Sequence, residues 1–414
     1  MASPLAAWKS RPRFERQSAW ALLAAINGRR PARYSRYFQV PSFFMSWGAT
    51  EAALPWAALN AVRTVGAIRR GEHRSASGKA AVAAQLAAIG TAASFVVEGR
   101  RTDEQFNAAL APWLDEQTIR DRPTSVRAGA VVPLFYGGRN RRSRSRGIPF
   151  SPESRGLRLD VYEPLTSAQP DERRPAIVQI HGGAWAVGDK REQGIPLLNH
   201  LAANGWVGFN VNYRLSPRVR APEHLIDCKR AIAWIRDHAD DYGIDPDFIC
   251  VTGGSAGGHL SALCALTAND PQFQPGFEGA DTSVQAAVPF YGAYDMADTS
   301  LMVKGYRETF LEPVVFGSKF SDDPARFEQY SPITHVRPDA PPMMLIHGTR
   351  DALIPIEAAR PFAQRLGEVS ESAVIWVELD GAQHAFDIFP SARTVRTIEY
   401  VERFLDGCHR GVIK

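Results

Sequence analysis

The chain has 414 residues, 45% of them hydrophobic and 22% charged, which provides for one large domain and a smaller one beside it. No solenoid, collagen or coiled-coil period runs through it, and its four cysteines (Cys228, Cys250, Cys264, Cys408) form neither a CxxC nor a Cys/His cluster with metal-ligand spacing, so no metal is expected. The net charge of +4 hides an asymmetry: residues 1–150 hold 23 Lys+Arg against 9 Asp+Glu, residues 151–414 hold 25 against 35, and two regions of different chemistry follow.

Residues 1–150 read as a helical, basic N-terminal region. Ser18–Ile26 is apolar behind a basic start, but AINGRR follows without a small-x-small cleavage site, so secretion is not expected. Ser42–Val62 is apolar with Glu51 and Pro55 inside it, and Ala80–Val97 runs 18 residues without a charge. The second stretch is at the short limit for spanning, and alanine gains little on transfer to lipid. Three readings stand: a helical hairpin packed on a catalytic domain, a hairpin on a membrane surface with its arginine-rich flanks facing anionic headgroups, or a true membrane span. Residues 137–147 (GGRNRRSRSRG) read as a linker or exposed loop. No aromatic interleaving or nucleic-acid module accompanies these arginines, so nucleic acid is not an expected partner.

From about residue 155 the texture alternates. Leu157–Tyr162, Ala176–Ile180, Val207–Val211, Phe248–Thr252, Ala286–Tyr291, Met343–His347 and Val374–Leu379 read as strands. Pro222–His238, Ala256–Thr267 and Val395–Leu405 read as helices. Strands separated by helical stretches predict a mostly parallel, doubly wound α/β sheet over 151–414.

Within it, Gly253-Gly254-Ser255-Ala256-Gly257 follows a strand and opens a helix. A nucleophilic serine on a sharp, strained turn needs small neighbours, since larger ones collide with the adjacent strand and helix. Ser255 is therefore the candidate nucleophile. Upstream, His181-Gly182-Gly183-Ala184-Trp185 also follows a strand. The backbone N–H groups of Gly182, Gly183 and Ala256 are the candidate oxyanion donors. His181 reads as a structural anchor of that loop, and Trp185 as a pocket wall. The acid and base are expected in the order Ser, Asp, His. Asp351 lies just past one strand and His384 past the next, so His384 is the expected base and Asp351 its orienting acid. Asp380 and Asp387 stand too near His384 in sequence for that role. His347, at a strand end, reads as buried, and His259, one turn into the helix after Ser255, is expected to point away.

Four motifs, HGGAW (181–185), NYRLSP (212–217), GGSAGG (253–258) and the HGTRDALIP/GAQHAF pair, together resemble the hormone-sensitive-lipase-like branch of the α/β-hydrolase superfamily, bacterial carboxylesterases in particular. The resemblance covers about 155–410. It departs from the family at Gly254, where Asp is common, and at His259, where Asn is common; GGSAGGHL also occurs in hydrolases similar to kynurenine formamidase and prenylcysteine methylesterase. The resemblance implies the α/β-hydrolase fold with an N-terminal cap and a cofactor-free hydrolase of short- to medium-chain acyl esters. Amidase-type hydrolysis and a non-catalytic binding role are the alternatives. Residues 301–316, with Tyr306, Phe310, Leu311, Val314, Val315 and Phe316, read either as an acyl pocket or as the core of a small cap. The expected setting is cytoplasmic, peripheral at the membrane if the N-terminal helices dock there; a homodimer is compatible with the sequence.

Overall fold

The computed structural model describes residues 8–32, 36–114, 143–164, 173–389 and 391–414. Eight strands form one sheet: β1 (Ser143–Pro149), β2 (Arg158–Glu163), β3 (Arg174–Ile180), β4 (Val207–Val211), β5 (Ile244–Gly254), β6 (Ala286–Phe290), β7 (Met343–Gly348) and β8 (Val374–Leu379). Their order is β1-β2-β4-β3-β5-β6-β7-β8. The first two pairings are antiparallel and the rest parallel.

Alternation across the pleat explains the two cores. On one side Val178, Ile180, Val251 and Ala287 pack with apolar residues of α7 (Glu223–Asp237), α8 (Ala256–Leu266) and α10 (Ile356–Val369). On the other, Ile177, Cys250, Val288 and Met344 pack against α6 (Ile195–Ala203) and α11 (Ala392–His409). A sheet covered on both faces needs strands apolar on both sides, and β4 and β6 are buried throughout. The four cysteines are buried free thiols. α9 (Pro324–Gln329) belongs to the excursion between β6 and β7.

The arginine-rich run departs from its reading as a linker. Its described part is β1, paired to β2 with a register shift between Ser145 and Ile148, where Gly147 takes φ +68°. Ile148 opposite Leu159 and a buried Phe150 bring it into the sheet, while Arg146 faces outward. The sheet thus begins before the boundary drawn at residue 150; residues 137–142 lie outside the described residues.

Ahead of the sheet stand α1 (Arg13–Arg29), α2 (Arg36–Glu51), α3 (Ala53–Arg69), α4 (Ala76–Gly99) and α5 (Thr102–Leu110). Buried positions of α4 recur every three or four residues (Gly78, Ala81, Gln85, Ala88, Ala92, Phe95, Gly99). Their small side chains let α1 and α3 approach, with Ala88 against Ala21 and Ala25, and Ala92 against Ala53. By length and composition Ala76–Leu110 could cross a membrane; the stripe of α4 that packs in the bundle accounts for the 28% of its apolar window that is buried. α5 inserts Phe106 and Leu110 into the core of the α/β region, with Phe106 stacked on Tyr400 at 4.7 Å.

Candidate active site

Strand β5 ends at Gly254 and α8 starts at Ala256, leaving Ser255 at the corner with φ +59° and ψ −119°. A non-glycine residue held in this region is strained, and such strain persists only where surrounding bonds enforce it. Ser255 N–H donates to Phe290 O at 3.0 Å, and Ser255 O accepts from His259 N at 3.0 Å. The glycines make the corner feasible. A Cβ on Gly253 would stand 2.5 Å from Ile180 O, one on Gly257 would collide with the same carbonyl, and one on Gly258 with Phe290 O. Ser255 is partly exposed among buried neighbours.

Asp351 and His384 meet as expected from their positions past β7 and β8. His384 Nδ1 donates to Asp351 Oδ2 at 2.6 Å, and both residues are buried. Asp351 Oδ1 accepts the N–H groups of Leu353 and Ile354, each at 2.8 Å. His347 Nε2 lies 3.4 Å from Asp351 Oδ2 and donates to Ile354 O at 2.9 Å. Burial pushes the Asp351 carboxyl up, but His384 and His347 outweigh it and hold the group well below the usual carboxylate range. The acid is thus an anion with every oxygen engaged, which fixes the imidazole with its proton on Nδ1.

Tyr291 links this pair to the serine corner. Its ring stands 4.7 Å from that of His384, and its hydroxyl is 2.5 Å from where a Gly254 Cβ would be. Tyr291 Oη donates to Asp387 Oδ1. Asp387 therefore serves Tyr291 rather than His384, and burial pushes its carboxyl up. Asp380 is exposed, and its carbonyl accepts from Arg393. Among the described residues Ser255 Oγ has no hydrogen-bond partner; such bonds often tighten only around substrate.

The 181–188 loop corrects two expectations. Gly182 N–H is not free to hold an oxyanion: it donates to Gln193 Oε1 at 2.7 Å. Gly182 nonetheless abuts Ser255, since its Cβ would lie 3.1 Å from Ser255 Cβ. Gly183 takes φ +119°, a conformation open to glycine, because a side chain there would run into Val187 O. The N–H groups of Gly183 and Ala256 have no intramolecular acceptor among the described residues. Trp185 does not line a pocket. Ala184 (φ +53°) and Trp185 (φ +56°) turn the chain so that the indole is buried at 1% exposure and donates to His259 Nδ1 at 3.3 Å. His259 Nε2 in turn donates to Tyr330 O at 2.7 Å. His181 is an anchor: Nδ1 donates to Gly182 O at 2.7 Å, its ring stacks on Tyr213 at 4.4 Å, and burial lowers its pKa to about 4.

In the 301–316 segment, Leu311, Val315 and Phe316 join the main core, Phe316 stacking on Phe327 at 3.7 Å. Pro313 has no N–H to donate, and Arg307–Phe316 winds as a π-helix around it. Among the described residues no cluster of three or more His, Cys, Asp or Glu could hold a metal ion.

A mostly parallel sheet with a strained serine at the strand–helix corner after β5, and an acid–histidine pair past the ends of β7 and β8, defines an α/β-hydrolase. The BD-FAE family model matches residues 159–366, and the chain belongs to this α/β-hydrolase family and to its carboxylic ester hydrolases. It is 40% identical over 394 residues to a probable carboxylic ester hydrolase, LipM, of Mycobacterium tuberculosis, covering 92% of this chain and 90% of the relative. It is 43% identical over 316 residues to the esterase LipQ of the same organism, covering 74% and 75%. Among solved structures, the apo form of Thermogutta terrifontis esterase 2 superposes with a TM-score of 0.55 at 26% identity, covering 68% of this chain and 99% of that one.

Proposed function

We propose that the chain hydrolyses short- to medium-chain acyl esters through an acyl-enzyme on Ser255. Ser255 Oγ attacks the ester carbonyl while His384 Nε2 takes the hydroxyl proton. The oxyanion is held by the N–H groups of Gly183 and Ala256. The tetrahedral adduct collapses, the C–O bond to the alcohol breaks, and His384 returns the proton to the leaving alcohol. Water then repeats the sequence in reverse, with His384 as base, and frees the acid and Ser255. The observation that carries this reading is the 2.6 Å bond from His384 Nδ1 to Asp351, which leaves Nε2 as the nitrogen available for proton transfer.

The test is hydrolysis of nitrophenyl esters from acetyl to palmitoyl by the wild type and by Ser255→Ala. Activity lost in the mutant, with a maximum at short or medium chains, is expected. Equal activity in both proteins, or none on any ester by folded wild type, overturns the reading.

We also propose that the outer face of the N-terminal bundle meets a membrane surface. Trp20, Leu23 and Ile26 of α1, Leu59, Val62, Val65 and Ile68 of α3, and Leu86 and Val97 of α4 are all exposed. Arg69, Arg70, Lys79 and Arg100 stand at the ends of these helices, a sign of charge that suits anionic headgroups. Flotation with anionic vesicles that weakens at high salt is expected; a protein that stays at the bottom of a low-salt gradient refutes it.

A further inference from the structure

We propose that helix α2 is a positioning element of the triad: its Ser46 and Glu51 hold Gln383, whose side chain staples the Asp351 loop to the His384 loop. The inference rests on the triad reading above.

One atom carries the staple. Gln383 Oε1 accepts the N–H of Ala352 at 2.6 Å and the N–H of His384 at 3.0 Å. These groups are the histidine's own amide and the amide that follows Asp351. A single buried carbonyl oxygen therefore sets the spacing of two loops whose side chains must meet. The rest of Gln383 is held from outside the sheet. Its Nε2 donates to Ser46 Oγ at 3.2 Å, and Ser46 Oγ donates onward to Ser42 O at 3.0 Å, so the amide presents its oxygen, not its nitrogen, to the loops. Its backbone N–H donates to Glu51 Oε1 at 2.8 Å.

Glu51 is itself fixed. Arg393 Nη1 reaches Oε1 at 3.1 Å and Oε2 at 2.9 Å, and Nη2 donates to Asp380 O at 3.0 Å, where the histidine loop begins. A buried ion pair brings little net stability, so its worth here lies in geometry. The other polar contacts of α2 with the α/β region fall on the same two loops. Trp47 Nε1 donates to Ala385 O at 3.2 Å, and Gln39 Nε2 donates to Leu353 O. The Phe43 ring stands edge-on to His384 at 6.0 Å. Arg350, beside the acid, pairs with Glu98 of α4 at 2.8 Å.

The test compares wild type, Gln383→Leu, Gln383→Glu and Ser46→Ala, in the full chain. Ester kinetics across pH are read together with the rate at which a fluorophosphonate labels Ser255. In labelling, an Oγ–P bond forms, the P–F bond breaks, fluoride leaves with the electron pair, and the hydroxyl proton passes to His384. Gln383→Leu should lower kcat and the labelling rate about 10²-fold, with KM little changed. Gln383→Glu retains the acceptor oxygen and should recover most of the rate at alkaline pH. Its carboxylate beside His384 favours the imidazolium, so the acid limb of kcat/KM should move upward. Ser46→Ala should lower kcat and labelling roughly three- to ten-fold, the range of one modest hydrogen bond.

Labelling of Gln383→Leu at the wild-type rate overturns the proposal. So does a slow Gln383→Leu accompanied by an equally slow Gln383→Glu with an unmoved acid limb. Should Gln383→Leu not fold, Ser46→Ala decides alone, and wild-type kinetics there refute the staple. Failure of the underlying triad is distinguishable, because wild type would then not label, or would label equally in Ser255→Ala.

Discussion

Gly254→Ala is the substitution for which the structure yields the sharpest forecast. Gly254 precedes Ser255, the proposed nucleophile, and has an ordinary φ, so alanine meets no backbone objection there. The objection is Tyr291, whose Oη, Cε2 and Cζ would lie 2.5, 2.8 and 2.9 Å from the new Cβ. Carbon contacts relax at about 3.5–4.0 Å, so the ring must withdraw by about 1 Å. Forcing one carbon into a packed site costs about 1–3 kcal/mol. The ring cannot withdraw freely, since it lies against His384 at 4.7 Å and its hydroxyl is bonded to Asp387. A displacement of about 1 Å at a catalytic base lowers the rate about 10²-fold. The assay is kcat/KM on nitrophenyl butyrate, with Tm from circular dichroism, for Gly254→Ala alone and in a Tyr291→Leu background. The stability cost should vanish in the second background, because the obstructing ring is gone. A Gly254→Ala enzyme with unchanged rate and Tm refutes the reasoning, as does an equal stability cost in both backgrounds.

Gln193→Met keeps the volume but removes the acceptor for Gly182 N–H; a buried amide left unpaired costs about 1–3 kcal/mol, and ester kinetics should show kcat/KM down roughly tenfold as the loop loosens. Trp185→Phe should cost about 1 kcal/mol of stability through the lost bond to His259 yet leave the acyl-length profile unchanged, since the indole is buried; a shifted profile would return Trp185 to the pocket. Burial lowers His181 to about 4, and His224 and His259 to about 3, from 6.5. Below pH 6.5 the unfolded chain therefore binds protons that the folded chain refuses, so stability is full above that value and falls as pH falls. Three such groups give a slope near 4 kcal/mol per pH unit around pH 5, about one proton each; urea unfolding from pH 7 to 5 measures it, and an uptake below one proton sinks the assignment.

The parts of the fold that could be read from sequence are those with local pattern. VGFNV and VIWVEL are strands at the very residues expected, and Ala256–Leu266 is the helix that GGSAG demands. The pairing of Asp351 with His384 followed from strand ends and chain order. β1 escaped because it lies in an arginine- and serine-rich run at a sheet edge, where Arg146 faces outward and Ile148 is the sole β-branched apolar side chain with a β2 partner to signal it. Trp185 misled because a pair of positive-φ residues reverses the side chain's direction, which no composition rule reports. Gln383 stood inside GAQHAF and Glu51 inside an apolar stretch, but neither pattern said what the side chain holds, and Gln193 carried no signal. Each acts through one or two atoms on residues that the fold brings near. Ala184 could have warned that the loop differs from a three-glycine turn. That the Gly182 amide is taken by Gln193 shows only in the fold.

The grip of α2 on the histidine loop has a consequence for biosynthesis. Glu51 and Gln383 are 332 residues apart, so the helix leaves the ribosome long before the loop that it holds. Until that loop arrives, α1 to α5 have neither their polar anchors nor the apolar bed that receives Phe106 and Leu110. Contacts of such long sequence separation form late, and exposed apolar helices are vulnerable to aggregation in the interval. On the triad proposed above, a chain released before β8 and the loop that follows it lacks His384 and is inert whatever else has folded.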